Sequence, residues 1–485
     1  MKTIIQTTST ILDFLFNATL TIFKFIFELI DTWLSNSPPK KEGYDAEFLT
    51  PSTVMSSYNK GFNLTGSKSI TELDSHKHAL VIGSSGTGKS TVVIIPTIYN
   101  LAKNGFSICI NDPSGEIQKS TSGYLSKLGY KIQVLNFCNP EMSDGYNPLS
   151  RVETTSDIYK TATTIVQNSL GKSATDGFWN SQAIGFISLI ISVLKKQKVE
   201  YQNLANVKHL IDCFQAEPEM LDKIVAGCLD EGILKEYKNM LRMEAKVRSN
   251  VISTCRSALL LFNLDAIARI TSIDTIQFEE FQKQPTALFI MNKTSDLKFY
   301  SPLTAVFFLQ FFNYIMNQPV PDKNTKSIFF IIDELSSLYL PDTFQIALAN
   351  LRKYRCGIMG AIQDQNQLIH LYGHHEAYSI ISNCYHKIFF PGQPMDTARE
   401  LSDMLGKREF INENGNTSTR ILLTPDEVRT MHENTALIFS GSKQAIFANL
   451  KPFYSRHEYT KFSRIPPPEM NRGIIPNSNV ELLKR

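Results

Sequence analysis

The feature that most constrains this chain is the stretch HALVIGSSGTGKST, residues 78–91. A short apolar run opens it, glycines fill its middle, and branched apolar residues follow Thr91. This order predicts a strand, a tight turn and a helix in succession. Gly83, Gly88, Lys89 and Ser90 occupy the fixed positions of the pattern GxxxxGK[ST]. The stretch therefore predicts the strand–loop–helix unit of an α/β fold.

This unit has the chemistry of a phosphate-binding loop, which predicts a P-loop NTPase. Backbone N–H groups of the turn can point at phosphate oxygens, and the following helix adds the positive end of its dipole. Lys89 is expected to reach the outer phosphates, and the Ser90 hydroxyl to bind Mg²⁺. A chance glycine-rich loop is the alternative, and the flanking strand and helix weigh against it. The expected nucleotide contacts are Gly83, Ser84, Ser85, Gly86, Thr87, Gly88, Lys89, Ser90 and Thr91.

A second chemical group follows an apolar run at residues 327–334, SIFFIIDE. An apolar run that ends in two carboxylates is typical of a buried parallel strand and its tip. We expect this tip to lie side by side with the strand of the phosphate loop, at the carboxyl edge where such sheets bind ligands. Asp333 would then bind Mg²⁺, and Glu334 would orient and deprotonate the attacking water. The pair of acids favours hydrolysis over nucleotide binding alone.

Three further polar residues are candidates for the reaction. The apolar run Cys356–Ile362 predicts a strand that delivers Gln363 to the same edge, where its amide can contact the γ-phosphate or the attacking water. The alternative for Gln363 is a surface loop. Arg352 and Arg355 lie just upstream on a predicted helix end, and either can serve as an arginine that reaches the γ-phosphate of a neighbouring subunit. The alternative for both is a surface ion pair.

Composition places the chain among ordinary globular proteins. Its 485 residues allow roughly two to four domains. A net charge of +3 does not indicate a global nucleic-acid surface, so any such surface must be local. The 7 cysteines form no CxxC pair, which favours a reducing compartment over a disulfide framework or a zinc site.

Periodicity and composition divide the chain into successive segments. Within residues 151–276 the strand pattern disappears and apolar residues recur at helical spacing. Basic side chains in this block are either the solvated face of helices or a nucleic-acid surface. The expected segments are an apolar helix (1–34), a polar linker (35–73), a first nucleotide-binding part (74–150), an all-helical insert (151–276), a second nucleotide-binding part (277–460) and an irregular tail (461–485).

The N-terminal segment has the pattern of a membrane-associated helix. Polar residues recur at steps of three or four along the apolar residues 11–34 and form one narrow stripe on a helix: Asp13, Asn17, Thr21, Lys24, Glu28 and Asp31. A charged residue at mid-bilayer costs about 2.5–3.5 kcal/mol, so a solitary spanning helix is disfavoured. A helix in the membrane interface, or one that spans within an oligomer, avoids that cost. A soluble helix packed on a partner is the alternative.

Several blocks, kept in order, resemble one family. They are the phosphate loop followed by VIIP (93–96), DPSGE (112–116), YNPL (146–149), FW (178–179), DEL (333–335), QDQNQL (363–368), YG (372–373) and LLTPDE (422–427). Over residues 61–454 the chain resembles the type IV secretion coupling proteins, the conjugative DNA-transfer ATPases of the TraG/TraD kind. It departs from that family in its single apolar N-terminal helix, where typical members have two, and in Ser114, where the family usually carries lysine.

The resemblance implies an α/β P-loop NTPase with a RecA-like, mostly parallel sheet, an inserted all-α domain and a short N-terminal apolar helix. It implies ATP and Mg²⁺ as cofactors, with Lys89, Ser90, Asp333, Glu334 and Gln363 in the roles given above. It further implies a homo-hexamer at the cytoplasmic face of the bacterial inner membrane. Such a hexamer delivers single-stranded DNA with its relaxase, or protein effectors, from the relaxosome to the components of a type IV secretion channel. A soluble DNA pump of the HerA/FtsK kind and a nucleotide-gated docking adaptor are the alternatives.

Overall fold

A computed structural model describes residues 46–171, 177–322, 324–411, 417–469, 475 and 480–484. The apolar helix predicted for residues 11–34 lies outside the described residues. So do the first part of the predicted linker and much of the predicted tail. The described residues from Glu47 onwards form one compact unit.

A sheet of 9 strands forms the centre of the described part of the chain. Its order is β11-β10-β7-β1-β6-β5-β2-β4-β3, in which β10 and β11 are antiparallel to their neighbours and the other pairs are parallel. A separate antiparallel pair is formed by β8 and β9. The strands are β1 (Ala79–Ile82), β2 (Ser107–Asn111), β3 (Lys131–Asn136), β4 (Thr286–Met291), β5 (Ile328–Ile332), β6 (Cys356–Ile362), β7 (His386–Phe389), β8 (Lys407–Ile411), β9 (Thr417–Ile421), β10 (Thr435–Ser440) and β11 (Ile446–Asn449).

The central strands are buried on both faces, which explains their continuous apolar sequences. Every residue of β1, β5 and β6 is buried. Alternate residues of β1 enter different apolar cores, because successive side chains of a strand point to opposite faces: Leu80 and Ile82 join one core, and Ala79 and Val81 the other. The prediction of a mostly parallel α/β sheet is confirmed.

Helices cover both faces of this sheet. The smaller core includes residues of α2, α3 and α18, and the larger core includes α4 to α10 and α12. The helices are α1 (Glu72–Ser75), α2 (Ile95–Lys103), α3 (Glu116–Lys127), α4 (Thr155–Leu170), α5 (Gly177–Lys195), α6 (Leu204–Ala216), α7 (Pro218–Gly227), α8 (Glu231–Leu241), α9 (Ala245–Ala258), α10 (Asp265–Ile270), α11 (Glu280–Lys283), α12 (Leu297–Asn317), α13 (Thr343–Asn350), α14 (Gln365–Tyr372), α15 (His374–Asn383), α16 (Met395–Leu405), α17 (Pro425–Arg429) and α18 (His457–Ser463).

A block of helices, α4 to α10, separates β3 from β4 along the chain, and we refer to it as the helical block. Its described residues contain no strand. Its apolar side chains, such as Ile187 and Leu210, belong to the same core that covers one face of the sheet. The helical block is therefore packed onto the sheet as well as connected to it.

A partly buried ion pair joins the two chain segments that connect the helical block to the sheet. Arg151 precedes α4 and Asp274 follows α10, and their side chains approach to 2.6 Å, with only 15% and 17% of each side chain exposed. The Arg151 guanidinium also donates to the carbonyl of Ile276 and lies 4.2 Å from the ring centre of Phe278. The contact between Arg151 and Asp274 thus holds together the two chain segments that connect the helical block to the sheet.

Three histidines are buried near the amino ends of the strands. His78 Nδ1 accepts the N–H of Ile358, and its Nε2 donates to the carbonyl of Leu348. His76 Nε2 lies 3.1 Å from the Ser327 hydroxyl, and His386 Nδ1 lies 3.0 Å from that of Ser440. Burial lowers the pKa of each imidazole to about 4, so all three are neutral at physiological pH.

The Arg151 pair gives a prediction for stability. Arg151→Leu should lower the free energy of unfolding by about 1–3 kcal/mol, because it leaves the partly buried Asp274 carboxylate without its charged partner. Denaturant titration measures this loss. The matched control is Arg399→Leu, whose ion pair with Asp396 is exposed and should contribute less than about 1 kcal/mol. Equal effects of the two substitutions would contradict this account.

The histidines give a prediction for pH. Because their folded-state pKa is about 4 and the ordinary value is 6.5, the unfolded chain binds protons first as pH falls. Their stabilising contribution is complete above pH 6.5 and is lost as pH falls towards 4. His78→Asn should make this loss shallower, since Asn does not titrate and tolerates the positive φ of 65° found there. A His78→Asn pH profile of unfolding that matches the wild type would refute the assignment.

Candidate active site

The phosphate loop leaves β1 at the carboxyl edge of the sheet. Gly86 and Gly88 have φ angles of 80° and 93°, a region that side chains other than glycine rarely adopt. At Gly83 a Cβ atom would lie 2.7 Å from Cβ of Phe390, so the close approach of these segments requires glycine there as well. The glycine pattern of the sequence is therefore explained by the turn that it forms.

A π-helical turn, Lys89–Ile94, follows the loop and leads into α2. Pro96 lies in the first turn of α2 and lacks the N–H that would continue an α-helical ladder back to Val92. The N–H of Ile95 instead bonds the carbonyl of Ser90, five residues back. The proline thus sets the register of the turn that presents Lys89 and Ser90.

The predicted metal ligands are in direct contact. Ser90 Oγ donates to Asp333 Oδ1 at 2.9 Å, and the N–H of Asp333 donates to the carbonyl of Asn111 on the neighbouring strand. Burial raises the pKa of Asp333, and the Ser90 hydrogen bond and the Lys89 charge oppose that rise. A hydroxyl and a carboxylate side by side are the oxygen donors that Mg²⁺ prefers. This pair of donors therefore fits the ion that the sequence predicts.

Lys89 bends back over its own loop. Its Nζ donates to the carbonyls of Gly83 and of Ser84, the latter at 3.1 Å. Burial lowers the pKa of this amine, while Glu334 and Asp333 favour its charged form. The ammonium group is thus held between the loop and the two carboxylates.

Glu334 lies directly beyond Asp333 and lines the same cleft. Its Oε1 accepts the hydroxyl of Ser336. Burial raises the pKa of Glu334, against the effects of Ser336 and Lys89. A raised pKa brings a carboxylate closer to the range in which it accepts protons efficiently near neutral pH.

The order of the strands corrects one expectation. The tips of β1 and β5 do not lie side by side, because β6 lies between them and pairs with both. In the register, Gly360 is the partner of Leu80 on one side and of Ile332 on the other. The expectation of adjacent tips is wrong because sheet order depends on long-range pairing, which the local patterns do not contain.

Three strand tips therefore contribute to one cleft. Gln363 follows β6, is exposed, and lines the cleft between the phosphate loop and the acidic pair. Its backbone N–H donates to Gln367 Oε1 at 2.9 Å. The structure thus brings Gln363 together with Lys89, Ser90, Asp333 and Glu334.

The cleft has a volume of about 860 Å³. It includes residues 85–92 of the loop and first turn, and the predicted contacts Gly83 and Ser84 do not line it. Its other wall comes from segments for which the sequence analysis predicted no site residue. Beyond residue 92, the lining residues that the sequence analysis missed are Glu116, Pro391, Glu433, Asn434, Leu450, Pro452 and Tyr454. Of these, only Glu116 had a sequence signal, as the last residue of DPSGE.

The DPSGE segment follows β2, next to β5. The Asp112 carboxylate accepts the backbone N–H groups of Gly115 and Gln118, and the Ser114 hydroxyl donates to it at 3.3 Å. Burial raises the pKa of Asp112 to about 6. In place of the lysine usual in the resembling family, Ser114 thus completes a local turn that aims Glu116 into the cleft.

The structure places the two arginines at the other edge of the sheet. Both precede the first residue of β6, whereas the phosphate loop follows the last residue of β1. Arg355 pairs with Glu72 of α1 at 2.6 Å, and Arg352 is exposed. Neither joins the cleft of its own chain, and action on a neighbouring subunit stays a prediction.

Comparisons with known proteins agree with this architecture. A family model described as "Type IV secretory system Conjugative DNA transfer" matches residues 35–471. The conjugal transfer protein TraG of Escherichia coli is 24% identical over 455 residues, which cover 81% of this chain and 70% of TraG. The bacterial conjugative coupling protein TrwB superposes with a TM-score of 0.69 at 19% identity, over 86% of this chain and 96% of TrwB.

A second TrwB structure, in complex with ADP and Mg²⁺, superposes with a TM-score of 0.67 at 19% identity, over 86% of this chain and 96% of that one. The resemblance to type IV coupling proteins is confirmed, and so is the P-loop NTPase fold. The family match spans most of the chain, including every element of the cleft. The chain therefore belongs to the type IV secretory system conjugative DNA transfer family.

Proposed function

We propose that this coupling protein is an ATP-hydrolysing motor that delivers a relaxase–DNA complex, or protein effectors, to a type IV secretion channel. The observation that carries the proposal is the contact of Ser90 Oγ with Asp333 Oδ1 at 2.9 Å, in a cleft that Lys89 and Glu334 also line. The fold that the chain shares with TrwB, which was solved with ADP and Mg²⁺, supports the choice of ligands.

The residues of the cleft have separate tasks in this proposal. The N–H groups of the phosphate loop and the Lys89 ammonium bind the phosphates, and Ser90 with Asp333 would hold Mg²⁺. When bound, Mg²⁺ neutralises charge that develops on the transferred phosphoryl group. Glu334 accepts the proton of the attacking water, and the Gln363 amide contacts that water or the γ-phosphate.

The delivery of cargo is assigned to the rest of the chain. We assign residues 151–276 as the domain that docks cargo, and residues 1–34 as the attachment to the cytoplasmic face of the inner membrane. Among the described residues, one helix is long and apolar enough to cross a membrane, Gly177–Lys195, and half of it is buried inside the fold. That burial favours a core helix for Gly177–Lys195, so residues 1–34 remain the proposed anchor.

A homo-hexamer would bring Arg352 or Arg355 to a neighbour's nucleotide.

The acidic pair gives a test of hydrolysis. Glu334→Gln should lower ATP turnover by about 10²–10⁴-fold, because it removes the base but leaves the phosphate and metal ligands in place. Phosphate release, measured with and without single-stranded DNA, gives the rate of turnover. Binding of a fluorescent ATP analogue gives the affinity, which should be the same in Glu334→Gln and the wild type. Glu244→Gln, at an exposed position of the helical block, is the control. Unchanged turnover in Glu334→Gln would refute the hydrolytic assignment, and a wild type without turnover would favour the docking adaptor.

The lysine of the loop gives a test in cells. Lys89→Ala should reduce transfer of a mobilisable plasmid to background in a donor that lacks the wild-type protein, because the outer phosphates lose their cation. Counting transconjugants measures the effect. The control is Lys127→Ala, an exposed lysine at the end of α3. Normal transfer with Lys89→Ala, at equal protein levels, would rule out the motor function.

A further inference from the structure

Residues 480–484, which we call the tail segment, lie against α6 of the helical block. The side-chain amide of Asn206 contacts this segment twice: its Oδ1 accepts the N–H of Leu483 at 2.7 Å, and its Nδ2 donates to the carbonyl of Glu481 at 3.1 Å. A C=O and an N–H two residues apart are the groups that an extended chain presents to one partner in a parallel ladder. Asn206 thus takes the place of a neighbouring strand.

A contact within α6 and its cap, separate from the tail segment, fixes the orientation of the Asn206 side-chain amide. Asn206 is fully buried, and its Nδ2 also donates to Asn203 Oδ1 at 3.1 Å. The same Asn203 oxygen caps α6 by accepting the N–H of Asn206. Because the cap holds the amide nitrogen, the amide oxygen is directed at the peptide N–H of Leu483. The pairing is therefore preorganised.

The remaining contacts of the tail segment mainly involve Leu483. Leu483 is 7% exposed and belongs to the apolar core of the helical block, whereas its neighbour Leu482 is only partly buried. His209 Nε2 donates to the carbonyl of Leu483 at 3.2 Å. The Tyr201 hydroxyl donates to the exposed Glu481 carboxylate at 3.3 Å. Backbone pairing with one anchored leucine is the recognition mode of an extended peptide.

We propose that this face of the helical block is a binding site for an extended peptide with a leucine anchor, which the chain's own tail segment fills. A tethered segment has an effective concentration near the millimolar range, so a free peptide of the same chemistry binds only when the tail segment is weakened or leaves. The site lies on the part of the chain assigned to cargo docking, but its existence does not depend on ATP hydrolysis.

The full chain offers a matched pair of variants. Leu483→Ala in the chain should open the site to a labelled peptide of residues 476–485, measured by fluorescence anisotropy. The wild-type chain and the Leu482→Ala chain should bind that peptide at least about tenfold more weakly. This follows because a buried leucine contributes more than the ~1.4 kcal/mol that corresponds to a factor of ten. Equal binding by the Leu483→Ala and Leu482→Ala chains would overturn the proposal.

A second measurement uses the wild-type chain and needs no released tail. The amide hydrogen of Leu483 should exchange slowly with solvent, and Asn206→Ala should accelerate that exchange by at least about tenfold, because the buried acceptor is lost. The amide of Leu338, which bonds Leu335 far along the chain, reports whether the variant remains folded. Fast exchange of the Leu483 amide in the wild type would contradict occupation of the site.

Discussion

The contact between Ser90 and Asp333 is the constraint on which the rest of the active site depends. It joins residues 243 apart in sequence, across an intervening strand, and it closes only if β1, β6 and β5 end at the same edge in the same register. The glycines of the loop, the π-helical turn before Pro96 and the buried apolar strands each serve that alignment. A shift of one residue in either pairing would move the hydroxyl or the carboxylate away, and the two proposed ligands of Mg²⁺ would no longer meet.

The local parts of this site could be predicted from the sequence, because their signals are local. The spacing of Gly83, Gly88, Lys89 and Ser90 specifies a loop, and an apolar run that ends in Asp333 and Glu334 specifies a strand tip. The position of β6 between β1 and β5 could not be predicted, since the sequence of an apolar strand does not specify which strands it pairs with. The far wall with Glu433 and Tyr454 was missed for the same reason: the loops that precede β10 and follow β11 reach the cleft only through the fold.

The two edges of the sheet have different physical character. At the carboxyl edge, two partly buried carboxylates with raised pKa values lie near Lys89, an arrangement suited to binding charge. At the amino edge, neutral histidines and the Arg355–Glu72 pair satisfy one another within the chain, an arrangement suited to holding the strands together. The helical block adds a third arrangement, in which the buried Asn206 amide pairs with the backbone of the tail segment. The candidate active site, the contacts at the amino edge and the contact with the tail segment thus lie in different parts of the fold.

The measurement that tests the central claim most directly is a double-mutant cycle on Ser90→Ala and Asp333→Asn, read out as the affinity of an ATP analogue with Mg²⁺ and with EDTA. If both side chains hold one ion, each single substitution removes most of the gain in affinity that Mg²⁺ provides, and the second adds little to the first. If the two losses add in full, or if Mg²⁺ gives the wild type no gain, the two residues do not share a metal, and the account of the cleft is wrong.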